Sequence, residues 1–238
     1  MGLTKQIKET NYTLYYGQSN SYLVIAGHGL ASGRNNIFNH GAVHYIHNNN
    51  LPCDYLAMSF HDAKSFLRSS VKAQAKMLQE VVEENKHRYK KIFIVGVSYS
   101  ALSCLKLEHE NIAKMVFVMP SLNISLMWQF EKSEQIDMLN GKYLVNFDRH
   151  VPIAFSEELK QEGLSYNLNE SIRLIHSLKV KTLIIHADKD QHYKLIDGVD
   201  LNTDYVSNTV IQNADHDFMQ VGVLDQVIKK VFRFFDLN

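Results

Sequence analysis

The sequence predicts an α/β fold in which a mostly parallel sheet is covered by helices on both faces. Short apolar runs rich in β-branched and aromatic residues recur at 22–26, 92–95 and 115–119, and each is bounded by turn residues. Segments with helical spacing of apolar residues lie between these runs. The chain has 238 residues, of which 45% are hydrophobic, and this is enough for one domain with a sizeable core.

The N-terminal half is predicted to hold an antiparallel hairpin followed by alternating strands and helices. Residues 3–8 and 11–16 alternate in polarity, as strands of an edge hairpin do. Ser69 or Ser70 is a candidate N-cap of a long helix that ends near His87. The other predicted elements are strands at 22–26, 54–60 and 92–95, and helices near 35–49 and 101–105.

The C-terminal half continues this alternation except in one segment. Strands are predicted at 115–119, 180–185 and within 204–212, with helices at 168–178 and 220–236. From Ser121 to about Ser165 the alternation breaks down, and an apolar stretch is followed by a polar run that we interpret as helical. We interpret 121–165 as an insertion that forms a small cap over the sheet, within a single domain spanning 1–238.

Composition excludes several classes of function. Lys plus Arg and Asp plus Glu number 25 each, so no basic surplus favours nucleic acid. Cys53 and Cys104 do not form a disulfide framework or a zinc spacing, and the 12 histidines show no HxH or HExxH pattern, so we expect no metal site. No stretch reaches the ~20 apolar residues of a membrane span, and the first residues lack the apolar core of a signal peptide. We therefore expect a cytoplasmic protein.

The stretch KIFIVGVSYSALSCL, residues 91–105, has the pattern of a nucleophile elbow. A buried strand is followed by Ser98 between small residues and then by a helix, and such a turn is tight enough to require small side chains two positions before and after the serine. Gly96 satisfies the first position, and Ser100 stands where the common pattern has glycine. A plain strand-to-helix turn is the alternative interpretation of this stretch alone.

Other polar residues also follow predicted strands. His28, Asp190 and His216 each come after an apolar run, as Ser98 does. Ligands bind such sheets at the carboxyl ends of the strands, so we expect these side chains to lie near one another. The chain order Ser98, Asp190, His216 is that of a Ser-Asp-His triad in which histidine activates serine and the acid orients histidine.

Four motifs together resemble the α/β-hydrolase superfamily: HGL after the third strand, GVSYS at the elbow, HADKD after a late strand and NADHDF after the last. The resemblance spans nearly the whole chain and is greatest to small capped esterases and lipases, including monoacylglycerol-lipase-like and feruloyl-esterase-like proteins. It implies an α/β-hydrolase fold with a mostly parallel central sheet, helices on both faces and a small cap insertion.

The resemblance also implies a role for each motif residue. Ser98 is expected to be the nucleophile, His216 its base and Asp190 the acid that orients His216. The backbone N–H groups of Leu30 and Tyr99 are expected to form the oxyanion hole.

The sequence departs from the superfamily pattern at two positions. Ser100 replaces the second glycine of the elbow, as in acyltransferases and thioesterases that supply fatty acids for bacterial luminescence. Ala187 replaces the glycine that precedes the acid by three residues, and Asp188 therefore remains a second candidate for the acid.

Several polar and aromatic residues receive a structural interpretation. His28 is expected to shape its loop, and His61, His186 and His192 are expected to be surface or strand-end polar groups. Met127, Trp128 and Phe130 fit packing within the cap, and they are also candidates for lining an acyl or aromatic pocket above the nucleophile.

The resemblance implies a serine hydrolase that cleaves carboxylic esters through an acyl-enzyme and needs no cofactor. Its expected substrate is a small ester or thioester with an apolar acyl or aromatic group. Thioester hydrolysis or acyl transfer by the same triad is one alternative, and a non-catalytic ligand-binding protein that keeps the fold is a second.

Overall fold

The computed structural model describes residues 4–7, 12–16, 21–30, 32–60, 70–126, 136–139, 142–145 and 153–237. The strands, in chain order, are β1 (Thr4–Ile7), β2 (Tyr12–Tyr16), β3 (Tyr22–Ala26), β4 (Cys53–Met58), β5 (Lys91–Val97), β6 (Lys114–Val118), β7 (Ile136–Leu139), β8 (Lys142–Val145), β9 (Ile153–Ser156), β10 (Thr182–Ala187) and β11 (Val206–Ile211). The helices are α1 (Ile37–Asn48), α2 (Val71–Asn85), α3 (Ser100–Cys104), α4 (Glu157–Ser165), α5 (Leu168–Ser177), α6 (Gln191–Lys194) and α7 (Val223–Phe234).

Within the described residues, eight strands form one sheet in the order β1-β2-β4-β3-β5-β6-β10-β11. Strands β1 and β2 pair antiparallel with each other, and β2 pairs antiparallel with β4. From β4 to β11 every neighbouring pair is parallel. The predicted edge hairpin and mostly parallel sheet are therefore confirmed.

Helices cover both faces of this sheet because its central strands carry apolar side chains on both sides. On one face, residues such as Ile94 and Phe117 pack with apolar residues of α2, α3 and α5. On the other, Phe93 and Val116 pack with α1 and α7. Burial on both faces explains why the central strands read as continuous apolar runs.

The helix boundaries follow local capping signals. Ser70 begins α2, where its side chain accepts a hydrogen bond from the backbone N–H of Ala73. Asn36 begins α1 in the same way through Asn39. Ser70, one of the two candidate N-caps, is thus the cap that the structure contains.

The segment between β6 and α5 contains a second, three-stranded antiparallel sheet of order β7-β8-β9. The prediction of a polar helical run here was wrong for 136–139 and 142–145, which are strands. Strands of four residues are too short to show a period of two clearly, so periodicity misassigned them. That this segment is a cap over the sheet stays a prediction.

None of the helices in the described part of the chain is long and apolar enough to cross a membrane.

Candidate active site

A tight turn between β5 and α3 holds Ser98 at the end of a central strand. Ser98 has φ of 54°, a left-handed conformation that is strained for a residue with a side chain. A Cβ at Gly96 would lie 2.8 Å from Cα of Ala101, so the turn has no room for a larger residue there. This geometry is that of a nucleophile elbow.

Ser100 has a structural function that a glycine could not supply. Its Oγ accepts a hydrogen bond from the Val97 N–H and donates one to the Val97 carbonyl, each at 2.9 Å. A Cβ at Gly27 would lie 2.7 Å from this same Oγ, so the small residue in the neighbouring loop makes room for it. The departure from the usual glycine thus strengthens the turn that presents Ser98.

Three side chains from three separate loops meet at the carboxyl edge of the sheet. Nε2 of His216 lies 2.9 Å from Oγ of Ser98, and Nδ1 of His216 lies 2.8 Å from Oδ2 of Asp190. Ser98 follows β5, Asp190 follows β10 and His216 follows β11. The structure therefore brings together the three residues that the sequence predicted to lie near one another.

Asp190 is held as an ionised acceptor. Its side chain is only 2% exposed, whereas that of His216 is 23% exposed. Burial by itself raises the pKa of this carboxyl, but the hydrogen bond and charge interaction with His216 and the hydrogen bond from the His192 N–H outweigh burial and lower the pKa. Oδ1 also accepts the His192 N–H at 2.8 Å, so both carboxylate oxygens are fixed.

Asp188 is not among the hydrogen-bond partners that the described residues give to His216. Its Oδ1 instead accepts the backbone N–H of Ala214 at 3.0 Å. Hydrogen bonds from the N–H groups of Asn213 and Ala214 lower the pKa of this half-buried carboxyl. Of the two candidate acids, Asp190 is the one beside His216, while Asp188 fastens the loop after β10 to the loop after β11.

The loop that carries His216 is shaped by its neighbour Asp215. Oδ1 of Asp215 accepts the N–H groups of Asp217 and Met219, at 3.2 and 3.0 Å. The Gln220 side chain donates to Oδ2 at 2.7 Å and accepts the Asp215 N–H at 3.0 Å. These bonds fix the backbone on both sides of His216 and leave its ring free to face Ser98.

The His28-Gly29-Leu30 loop packs directly against the elbow. A Cβ at Gly29 would lie 3.2 Å from Cβ of Ser98, so this close approach favours glycine. Nε2 of buried His28 accepts the backbone N–H of Phe60 at 3.0 Å, and its Nδ1 lies 2.8 Å from the Gly29 carbonyl. His28 therefore has the loop-shaping contacts that were expected of it.

Near Ser98, the backbone N–H groups of Leu30 and Tyr99 have no acceptor among the residues that the structure describes. Within the described part of the chain, no backbone hydrogen bond is made by the N–H of Leu30 or of Tyr99. Both residues are buried, at 8% and 1% exposure. Free donors in a buried site are available to a ligand oxygen.

His192 is closer to the site than its sequence context suggested. Its ring packs on that of His216, with centroids 4.5 Å apart and an interplanar angle of 44°. Burial, together with the positive potential of His216, lowers the pKa of His192 to about 4, so this ring is neutral at pH 7. The helical turn after Asp190 positions the His192 ring. The contact between the rings of His192 and His216 joins residues far apart in the chain, so the local sequence does not reveal it.

Ser121 is a second neighbour of Ser98, and the sequence did not predict it. Its Oγ lies 3.2 Å from Oγ of Ser98, and the residue is 2% exposed. Ser121 follows β6, which lies beside β5 in the sheet. Only the pairing of these two strands brings the two serines together.

Among the described residues, Asp190, His192 and His216 form a group whose candidate metal-ligating atoms lie within 4.8 Å of one another. Both Asp190 oxygens and both ring nitrogens of His216 already have hydrogen-bond partners. The hydrogen bonds explain this group without a metal, and the absence of a metal requirement stays a prediction. Met127, Trp128, Phe130 and His61 lie outside the described residues.

Comparison with solved structures identifies proteins of similar architecture. Est1E from Butyrivibrio proteoclasticus with ferulic acid bound matches at TM-score 0.74 and 14% identity over 94% of this chain and 93% of that one. The monoacylglycerol lipase of Paleococcus ferrophilus gives 0.65 and 13% over 98% of both chains. Mouse alpha/beta hydrolase domain-containing protein 10 gives 0.65 and 13% over 99% of both.

No family model and no curated protein matches the sequence. The structural matches nevertheless cover nearly the full length of each chain, at TM-scores of 0.65 to 0.74. The chain has the α/β-hydrolase fold.

Proposed function

We propose that the protein is a serine hydrolase that cleaves carboxylic esters through an acyl-enzyme. The observation that carries the proposal is the chain of hydrogen bonds from Ser98 Oγ to His216 Nε2 and from His216 Nδ1 to Asp190 Oδ2, at 2.9 and 2.8 Å. A serine hydroxyl is a weak nucleophile unless a base lies within reach and a third group orients that base.

In the first half of the reaction, Ser98 Oγ attacks the ester carbonyl carbon while His216 Nε2 takes the hydroxyl proton. The carbonyl π electrons move to oxygen, which becomes an oxyanion. Asp190 remains ionised and stabilises the imidazolium that forms. Breaking the carbonyl carbon–alkoxy bond then releases the alcohol, which receives its proton from His216, and leaves the acyl group on Ser98.

In the second half, water replaces Ser98 as the nucleophile. His216 takes a proton from the water as its oxygen bonds to the acyl carbon, and then returns a proton to Ser98 Oγ as the acyl–serine bond breaks. The products are the carboxylic acid and the free enzyme. No step requires a redox partner or a cofactor.

The N–H groups of Leu30 and Tyr99 are the proposed oxyanion donors. Tyr99 directly follows the nucleophile, and Leu30 ends the loop that packs on Ser98 through Gly29. Neither N–H has a backbone acceptor within the described part of the chain. Removal of one oxyanion donor typically raises the barrier by about 3–4 kcal/mol, so these two groups are central to the proposed rate.

The ferulic acid bound to Est1E, a protein of the same fold, supports a small carboxylic acid as the acyl product. We therefore include aromatic esters among the substrates to be tested, together with alkyl esters and thioesters of increasing chain length. Met127, Trp128 and Phe130 are the proposed lining of the acyl pocket.

The test is hydrolysis of a series of nitrophenyl esters and matched thioesters by wild type and by Ser98→Ala. We expect turnover by the wild type and none above background for Ser98→Ala, because the alanine has no nucleophilic oxygen. If the wild type cleaves the thioesters faster than the matched esters, the protein is a thioesterase. If the wild type binds these compounds without turning them over, the protein is a ligand-binding member of the fold and the proposal is wrong.

A further inference from the structure

We infer that Ser121 donates a hydrogen bond to the nucleophilic oxygen of Ser98 and stabilises the negative charge that develops there. The inference rests on the proposed function and adds one residue to its machinery. It begins from the 3.2 Å contact between the two hydroxyl oxygens.

The direction of this bond follows from counting hydrogens. Asp190 is ionised and can only accept, so the Nδ1 of His216 must carry the hydrogen that joins them. In a neutral imidazole the Nε2 is then an acceptor, and it takes the single hydroxyl hydrogen of Ser98. Ser98 has no hydrogen left for Ser121, so Ser121 must be the donor between the two serines.

The surroundings of Ser121 leave its hydroxyl few other choices. The residue is 2% exposed, and Ser98 is the side-chain partner that the structure gives it. The backbone fixes the pair as well, because the Ser98 N–H donates to the Val118 carbonyl at 2.9 Å and the Ser121 N–H lies 3.4 Å from the Ser98 carbonyl. Met119, with φ of 46°, turns the chain after β6 so that Ser121 faces the elbow.

This donor acts on the reaction, because the charge on Ser98 Oγ changes during it. At rest the bond joins two neutral hydroxyls and is long for its type. As His216 removes the proton, Oγ becomes negative, and a hydrogen bond to a charged acceptor is shorter and about twice as strong. An interaction that strengthens only in the transition state raises the rate without tightening substrate binding.

The same hydrogen bond from Ser121 also stabilises the transition state of deacylation. When the second tetrahedral intermediate collapses, Ser98 Oγ leaves the acyl carbon with a developing negative charge, and Ser121 again donates to it. We therefore expect acylation and deacylation both to slow when the hydroxyl of Ser121 is lost.

The experiment measures the second-order rate of inactivation by a small fluorophosphonate, in which the Ser98 Oγ–phosphorus bond forms and fluoride leaves. Ser121→Ala removes the donor. Ser121→Thr and Ser121→Val form a matched pair of nearly equal shape that differ only in the hydroxyl. Ser125→Ala, at a buried serine in the helical turn that follows Ser121, is the control. Thermal unfolding of every variant shows whether its fold is intact.

We expect inactivation of the alanine and valine variants to be slower by about 10- to 100-fold, the range of a hydrogen bond to a charged group. The threonine variant should stay within about threefold of wild type, since it keeps the donor. Ester turnover should show the loss in kcat with KM little changed. If the threonine and valine variants are unstable, the wild type and the alanine variant decide the outcome.

Two results would overturn the inference. If Ser121→Ala is inactivated as fast as wild type, the hydroxyl contributes nothing to the nucleophile. If threonine and valine are slowed equally while alanine is not, the effect is one of packing. Failure of the proposed function looks different, because the wild type itself would then resist the fluorophosphonate, and the inference would fall with it.

Discussion

At the scale of single residues, the site separates two aspartates that the sequence could not tell apart. Asp188 and Asp190 follow the same strand at an interval of two, and both have a pKa lowered by hydrogen bonds. The causes differ, since Asp188 is half-buried and accepts backbone N–H groups whereas Asp190 is buried against His216. One intervening residue therefore separates Asp188, which joins two loops, from Asp190, the proposed triad acid.

Replacing each aspartate by asparagine tests this division. We expect Asp190→Asn to lower kcat by roughly three to four orders of magnitude, because an amide no longer enforces the correct tautomer of His216. Asp188→Asn should keep kcat within about tenfold of wild type and act mainly on stability. Steady-state kinetics with the same ester compares kcat of the two variants. A greater loss of kcat in Asp188→Asn would assign the acid role to Asp188.

At the scale of elements, the segment between β6 and α5 is joined to the N-terminus of helix α2. The Glu162 carboxylate, on α4, accepts the N–H groups of Val71 and Lys72, at 2.5 and 2.9 Å, in the first turn of α2. A second bond joins the two ends of the segment, from the Ser125 N–H to the Tyr166 carbonyl at 3.1 Å. Free N–H groups and the positive end of the dipole at a helix N-terminus favour such a carboxylate.

Glu162→Gln measures the contribution of this anchor. We expect the free energy of unfolding to fall by about 0.5–2 kcal/mol, since the charge that complements the α2 terminus is lost while the side-chain shape is kept. Glu158→Gln, an exposed position on the same helix, is the matched control and should change little. Urea unfolding gives the free energy of unfolding of both variants. Equal values for the two variants would show that Glu162 does not anchor α4.

Elements also determine what the sequence can reveal about the site. Ser98, Asp190 and His216 could be predicted because each lies in a short motif at the end of an apolar run. Ser121 could not, since nothing in its own neighbourhood marks it, and it reaches Ser98 only because β6 pairs with β5. Strands β7 and β8 were missed because four residues are too few for a clear period.

At the scale of the whole molecule, the order of strands is what assembles the site. Strands β5, β6, β10 and β11 are consecutive neighbours, and their carboxyl ends carry Ser98, Ser121, Asp190 and His216 in turn. Strand β3 flanks β5 on its other side and brings the loop of Gly29 and Leu30 against Ser98. Parallel pairing places all these ends at one edge, so one sheet edge supplies every proposed catalytic group.

The stability of the whole chain should depend on pH through a histidine buried at this edge. His186 is 3% exposed at the end of β10, and its ring packs on that of Tyr193. Burial lowers its pKa from 6.5 to about 4, although the nearby Asp190 charge opposes the shift. Between these two values the unfolded chain binds a proton that the folded chain excludes, so stability is complete above the higher value and declines as pH falls toward the lower.

We expect the free energy of unfolding to decrease by up to about 1.4 kcal/mol per pH unit from this one group over that window. Replacement by glutamine, His186→Gln, should make the pH dependence shallower by that amount. Urea titrations between pH 7 and pH 4 provide the measurement, with exposed His44→Gln as the control. An unchanged slope for His186→Gln would mean that His186 is protonated alike in folded and unfolded chains.

Intact-mass analysis after treatment with a fluorophosphonate is the most direct test of the proposal that Ser98 is an activated nucleophile. We expect one adduct per chain, located on Ser98 by peptide mapping and absent from Ser98→Ala and from wild type unfolded in urea. An adduct on another residue, equal labelling of Ser98→Ala, or an unmodified folded wild type would contradict it.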